Sequence, residues 1–238
     1  NSEKLKYFFF QLHGAGTTNP SKFFWQVQDL MMERAKVPMF LTYRAVGSTT
    51  GMKEFMGNYG TWEPLNDFGA GDIPMASSRY TNITTLGNRE MVHVPFVTGA
   101  IAFFHSVPQS DLAGSALDLD ACLLAKIFCS EIATWDHPDI LAANPGFSPP
   151  ANQAILMAHR TSGSSSTTGI SEYLSTTCAA SWTLNVGSSF DWNGGQGVEG
   201  SGGMSDWIEA NQYAIGYIDA GHGHNLGLSE VAILNANG

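Results

Sequence analysis

Three times in this chain an apolar run the length of one strand stops at a turn of glycine and hydroxyl residues, and a helical period takes over. Leu5 to Leu12 runs into Gly14-Ala15-Gly16-Thr17-Thr18-Asn19-Pro20, after which Phe23, Phe24, Val27, Leu30 and Met31 mark one helix face. Met39 to Val46 runs into Gly47-Ser48-Thr49-Thr50-Gly51, followed by Met52, Phe55 and Met56. Ala154 to Ala158 runs into His159-Arg160-Thr161-Ser162-Gly163-Ser164-Ser165-Ser166-Thr167-Thr168-Gly169, followed by Ile170, Tyr173 and Leu174. Strands that alternate with helices demand crossover connections, so the chain reads as α/β with mostly parallel sheets. In such sheets ligands sit beyond the carboxyl ends of the strands, beside the helix N-termini.

All three turns fall at that position, and their residue types suit an anion. A helix N-terminus presents unpaired amide N–H groups and the positive end of the helix dipole. Ser164 and Ser166 add hydroxyls, and Arg160 adds a planar, permanently charged fork. One such turn is as easily an N-cap with a solvated Ser-rich loop; three of them shift the balance toward an anion cradle. Asn19 is a fitting N-cap with Pro20 as the first helical residue.

The remaining punctuation gives a coarse map. Asp67-Phe68-Gly69-Ala70-Gly71-Asp72 is a short strand ending in a Gly-flanked acid, for which a plain turn aspartate is the simple reading. Met91-Val92-His93-Val94 and Ala100 to Phe104 flank Pro95 and read as a crossing from one domain to a second. Asp118 is placed to cap a helix carrying Leu119, Cys122, Leu123 and Ile127. Gly194 to Gly203 is a Gly-rich loop without a Gly-Lys-Ser/Thr ending, which argues against a nucleotide. Met204 to Ala210 reads as helix and Ala214 to Ile218 as strand.

Charge and composition exclude several function classes. The chain has 238 residues and a net charge of −10, with only 13% charged residues. That balance disfavours nucleic acid and anionic membranes but not a small anion in a dipole-lined pocket. No apolar run reaches the ~20 residues of a membrane span. The start shows no signal-peptide pattern, which reads as a mature or a cytosolic chain. Cys122, Cys129 and Cys178 form no C-x-x-C; one disulfide with one free thiol and three buried thiols are both open. Asn82-Ile83-Thr84 fits the N-glycosylation sequon. His222-Gly223-His224 lacks a nearby third ligand, so no metal is expected. No G-x-S-x-G elbow occurs, so neither hydrolase nor phosphatase activity is expected.

Taken in order, Gly14 to Thr18, Val46 to Gly51, Asp67 to Asp72, Leu123 to Trp135, Arg160 to Ser166 and Ala214-Ile215-Gly216-Tyr217 resemble the PstS-type periplasmic phosphate-binding proteins, receptors of phosphate ABC transporters. The resemblance implies a two-lobed, type II periplasmic-binding-protein-like fold. Its sheets would be mostly parallel, with helices on both faces. Lobe 1 would comprise 1–95 plus 219–238, and lobe 2 would comprise 96–218. It further implies no enzyme activity, no cofactor and no metal, and one inorganic phosphate in the cleft between the lobes. Carried over by position, Thr18 and Ser48 give a hydroxyl and an N–H, Asn19 an N–H, and Arg160 the charged fork. Ser164 and Ser166 give hydroxyl and N–H, and Ser165 an N–H. Asp72 accepts a proton carried by phosphate. An ionised carboxylate cannot donate, so protonless sulfate would set acceptor against acceptor.

The chain departs from the family at Asn19, where an aromatic is usual, at Ser162, where an acid often pairs with the arginine, and at Ser165, usually Gly. Family members continue well past Glu230 to Leu234, so the first lobe is expected to be reduced, or completed by another domain or subunit. The implied partners are a membrane permease or further domains of a larger extracellular protein, and the implied location is periplasmic or extracellular. A second function stays open: a structural or assembly module of an extracellular layer or filament on the same fold.

Overall fold

A computed structural model describes residues 10–58 and 63–234. The proposed strand from Leu5 therefore lies partly outside the described residues. The chain divides into two compact units, Asn1–Val97 and Thr98–Gly238.

In the first unit β1 (Phe10–Gly16), α1 (Ser21–Arg34), β2 (Met39–Ala45), α2 (Ser48–Met56), β3 (Phe68–Ala70) and α3 (Ser77–Thr85) follow one another. The three strands form one parallel sheet in the order β2-β1-β3, with Phe10 opposite Met39 and Gly14 opposite Phe68. Alternation along β2 puts Leu41 and Tyr43 inward, both buried. α1 covers that face: Phe24 packs edge-on to Tyr43 with ring centroids 4.8 Å apart, and Trp25 Nε1 donates to the Tyr43 carbonyl. Several apolar side chains of this unit stay exposed, among them Phe10, Phe40, Val92 and Val94.

The second unit holds β4 (Ile101–His105), β5 (Asp118–Asp120), α4 (Ala121–Phe128), α5 (Pro138–Ala143), β6 (Leu156–Arg160), α6 (Ser165–Thr177), β7 (Gln196–Val198), α7 (Gly200–Ala210), β8 (Ala214–Asp219), α8 (Ala220–Asn225), β9 (Ser229–Glu230) and β10 (Ala232–Leu234). Five strands make a mixed sheet ordered β7-β6-β8-β4-β9, in which β4 runs antiparallel to both neighbours. Both faces are covered, so β8 reads Ala-Ile-Gly-Tyr-Ile without polar alternation and all five residues are buried. Phe103, Ile215 and Tyr217 face a core shared with α4 and α6, which includes fully buried Trp135 and Phe128. Phe104, Ala158 and Ile218 face a smaller core with Met204 and Ile208 of α7.

The Gly-rich stretch before α7 has a packing reason. A Cβ on Gly195 would lie 2.9 Å from the Met157 carbonyl oxygen, and the residue sits at φ +84°. β7 thus closes onto β6 at a separation only glycine permits.

Cys122, in the first turn of α4, is disulfide-bonded to Cys178, just past the end of α6. Cys129 is a half-buried free thiol. The bridge closes a loop of 56 residues, a constraint on the unfolded chain worth about 4 kcal/mol in the loop-entropy picture.

Two expectations need correction. Asp118 does not cap α4; Asp120 does, its carboxylate accepting from Leu123 N–H at 2.7 Å. Asp118 is instead paired into β5 against Ala232, and its amide donates to Asn144 Oδ1. Residues 219–238, assigned by resemblance to the first lobe, carry β9 and β10, which pair with β4 and β5 of the second unit.

His105 is buried, its Nδ1 accepts the Val107 amide, and burial pushes its pKa down to about 4. The unfolded chain protonates this ring near pH 6.5. As pH falls from 6.5 toward 4 the unfolded state therefore binds the extra proton and folding weakens, by about 2 kcal/mol at pH 5. Urea unfolding across that window should show the loss, and His105→Asn should flatten the slope. An unchanged slope would remove His105 from the acid response.

Candidate functional site

In the first unit, three of the turns singled out in the sequence meet at the carboxyl end of the sheet. The carbonyl of Gly16 accepts both the Val46 and the Gly47 amides, at 3.0 and 2.9 Å. Thr17 N–H donates to the Ala70 carbonyl at 2.9 Å. The turns after β1, β2 and β3 are thus tied backbone to backbone. A Cβ on Gly51 would lie 2.3 Å from the Gly16 Cα, so α2 rests directly on the end of β1. This puts buried Ser48, the first residue of α2, beside Thr17 and Thr18.

Asp72 belongs to the same cluster. Its Oδ2 accepts the Thr17 hydroxyl at 2.6 Å and the Asn19 side-chain amide at 3.2 Å. Thr17 is held a third way, since its carbonyl accepts the Tyr43 phenol at 2.7 Å. Burial, and then the Asp72 charge, push the Tyr43 phenol far above its ordinary range, so it stays a donor. Asp72 itself is exposed. The Asn19 amide N–H reaches Thr17 Oγ1 at 3.3 Å. Asn19 stands two residues before α1, which starts at Ser21 with no side-chain cap, and its side-chain amide donates to the Asp72 carboxylate.

In the second unit, β6 ends at Arg160 and α6 starts at Ser165. Arg160, Ser164, Ser165 and Ser166 are all buried, at 3, 2, 4 and 0% exposure. These are polar groups at a helix N-terminus with no acid in its first turn. The turn is fastened at both ends. Thr161 donates its amide and its hydroxyl to the Val198 carbonyl, at 3.0 and 3.3 Å. The Arg160 amide donates to the Tyr217 phenol oxygen, which also bonds Thr167 Oγ1 at 2.7 Å. His159, facing the other way, stacks on Trp192 at 5.0 Å; burial lowers its pKa.

Two roles carried over by resemblance do not match this geometry. The Ser164 N–H donates to the Ser188 carbonyl at 2.9 Å, and the Ser166 N–H donates to Ser164 Oγ at 3.2 Å. Ser164 is the N-cap of α6 and engages the Ser166 amide, while the Ser188 carbonyl engages that of Ser164. Hydroxyls and amide N–H groups of this kind are chemically suited to an oxyanion.

Each unit therefore brings its predicted residues together: Thr18, Asn19, Ser48 and Asp72 in the first, Arg160, Ser164, Ser165 and Ser166 in the second. Thr17, Tyr43, Thr167 and Tyr217 were not singled out. Thr17 and Thr167 lie inside the marked turns, but nothing in a run of hydroxyl residues says which are structural. Ser48 and Asp72 also border a hollow of about 730 Å³, whose other walls include Phe24, Met52, Phe55 and Phe68. Among the described residues no group of three His, Cys, Asp or Glu is placed to hold a metal.

Residues 9–237 match the PBP superfamily domain. The chain belongs to the PBP superfamily. It is 31% identical over 200 residues to the phosphate-binding protein PstS of Haemophilus influenzae, covering 83% of this chain and 55% of that one. It is 31% identical over 185 residues to phosphate-binding protein PstS 3 of Mycobacterium leprae, covering 78% and 47%. The chain thus spans about half the length of these curated relatives, both named as binding proteins. A phosphate ABC transporter substrate-binding protein from Clostridium perfringens, solved with bound phosphate, superposes with TM-score 0.65 at 18% identity, over 94% of this chain and 75% of that one. The fold is that of this superfamily, as the resemblance implied, and it is α/β, as the order of strands, turns and helices implied.

A methyl group at Gly51 of this PBP-superfamily chain would meet backbone that cannot rotate aside. Gly51→Ala should therefore push α2 off β1 and cost about 1–3 kcal/mol, seen as a melting temperature lower by roughly 3–8 °C. Wild-type melting would mean that the β1–α2 contact is looser than described.

Proposed function

We propose that this chain binds inorganic phosphate, without enzymatic activity, as a solute-binding or sensing protein. Its ligands are Thr18, Asn19, Ser48 and Asp72 of the first unit and Arg160, Ser164, Ser165 and Ser166 of the second. The observation that carries this reading is the second-unit turn: buried Arg160 ends β6, and buried Ser164, Ser165 and Ser166 open α6. A tetrahedral oxyanion suits a guanidinium and serines at a helix N-terminus, and the names of the relatives make phosphate the first choice. The name of the Clostridium perfringens protein supports a membrane permease of an ABC transporter as partner, and the resemblance to the PstS type supports a periplasmic or extracellular location.

Asp72 supplies the choice among anions. Thr17 Oγ1 and the Asn19 side-chain amide both donate to its Oδ2, and an ionised carboxylate can only accept. Monohydrogen phosphate brings a proton to it; sulfate brings none. Because Asp72 is exposed, water softens the acceptor–acceptor clash, and the discrimination it contributes is smaller than a buried carboxylate would give.

Calorimetry at neutral pH should show one phosphate per chain, with sulfate weaker. Arg160→Ala should weaken phosphate at least a hundredfold, the loss of a charge-assisted bidentate contact. No phosphate heat and no thermal shift for the wild-type protein would overturn the reading. Asp72→Asn, which can donate to sulfate, should narrow the phosphate–sulfate gap by about tenfold, or 1.4 kcal/mol. An unchanged gap would take Asp72 out of the selectivity.

A further inference from the structure

We propose that Tyr217 is the positioning residue of the second-unit anion site, its phenol acting as the strut that sets the end of β6 against the first turn of α6. This rests on the phosphate reading and names a residue outside the ligand set. The ladder between β6 and β8 pairs Leu156 with Ala214 and Met157 with Ile215, then stops. Beyond that point β6 pairs only with β7, from Ala158 to Arg160. At the diverging end, a side chain replaces the missing ladder. Tyr217, two residues past Ile215 on β8, is fully buried, and its oxygen accepts the Arg160 amide at 3.3 Å. The same oxygen bonds Thr167 Oγ1 at 2.7 Å, and Thr167, also fully buried, lies in the first turn of α6.

A phenol oxygen that accepts from an amide keeps its own hydrogen to donate. The chain from Arg160 N–H through the Tyr217 phenol oxygen to Thr167 Oγ1 is continuous whichever hydroxyl donates in the second bond. It fixes the spacing between the two elements on either side of the Thr161–Ser164 turn. Arg160 and Ser164 to Ser166 lie at those two ends, so a change in the spacing spreads the donors that a small tetrahedral ligand must meet together. Displacements near 1 Å are enough to spoil such convergence. The ring holds the oxygen in place from behind, packed on Phe128 at 5.7 Å and on Trp192 at 6.4 Å between centroids.

Tyr217→Phe removes only the oxygen and keeps the ring packing. It should weaken phosphate about tenfold when measured by calorimetry well below the melting transition, where all the protein is folded. A merely structural role would lower the melting temperature and leave this affinity alone. Thr167→Val should produce a similar loss, Thr167→Ser should recover most of it, and Tyr217→Phe with Thr167→Val should be no worse than either alone. Amide hydrogen exchange reads the strut without ligand: Arg160, Ser165 and Ser166 should exchange faster in Tyr217→Phe. Wild-type affinity together with wild-type exchange in that variant would overturn the strut. Absence of phosphate binding in the wild-type protein would overturn the phosphate reading itself, while the exchange comparison would still decide whether Tyr217 holds the turn.

Discussion

The backbone contact between Gly16 and Gly51 is the constraint on which the first unit depends. Gly16 cannot carry a side chain, because its Cβ would lie 1.9 Å from the Ala70 carbonyl oxygen. Gly51 cannot carry one because Gly16 is there. With both glycines in place, one carbonyl collects two amides of the next turn, and the amide of Thr17 reaches the third strand. Three loop segments separated by tens of residues become a single rigid edge of hydroxyls and helix starts. The chemistry of that edge is a by-product of close packing: where backbones approach this nearly, there is room for threonine and serine oxygens and for little else.

The second unit reaches a similar end by other means. Its sheet is buried on both faces, and the large aromatic core under β8 delivers a phenol to the point where β6 and β8 part. Here a hydrophobic core positions a polar turn. Arg160 is buried at the rim of that core, and its backbone, fixed by Tyr217, is as much part of the apparatus as its charge. A protein with a net charge of −10 can present such a place because the positive potential is local, built from one guanidinium and oriented dipoles.

Much of this was legible in the sequence. Hydrophobic runs stopping at Gly, Ser and Thr gave the strand–turn–helix order, and with it the side of each sheet that carries the polar turns. The pairing partners were not legible. Glu230 to Leu234 reads as one apolar strand, yet it breaks into two short ones serving different sheets; nothing in a five-residue run encodes the partner. Asp118 and Asp120 are both competent caps, and only the demand of Asn144 for the Asp118 amide decides between them. The same limit hid Thr17 and Tyr217. A hydroxyl that anchors and a hydroxyl that binds look alike until the strands that surround them are known. Asn19 shows the converse: its residue type fits a cap, yet the partner the fold brings to its side-chain amide is the Asp72 carboxylate, 53 residues away in the chain.

The disulfide joins Cys122 at the start of α4 to Cys178 at the tail of α6. α6 is the helix whose opposite tip carries Ser164 to Ser166. A covalent tether at one tip restrains sliding of the whole helix along its axis, and so restrains how far the serines stand from Arg160. The architecture is suited to oxidising surroundings. In a reducing compartment the same fold would lose its axial stop, making thiol chemistry at one pole of a helix a determinant of ligand-holding geometry at the other.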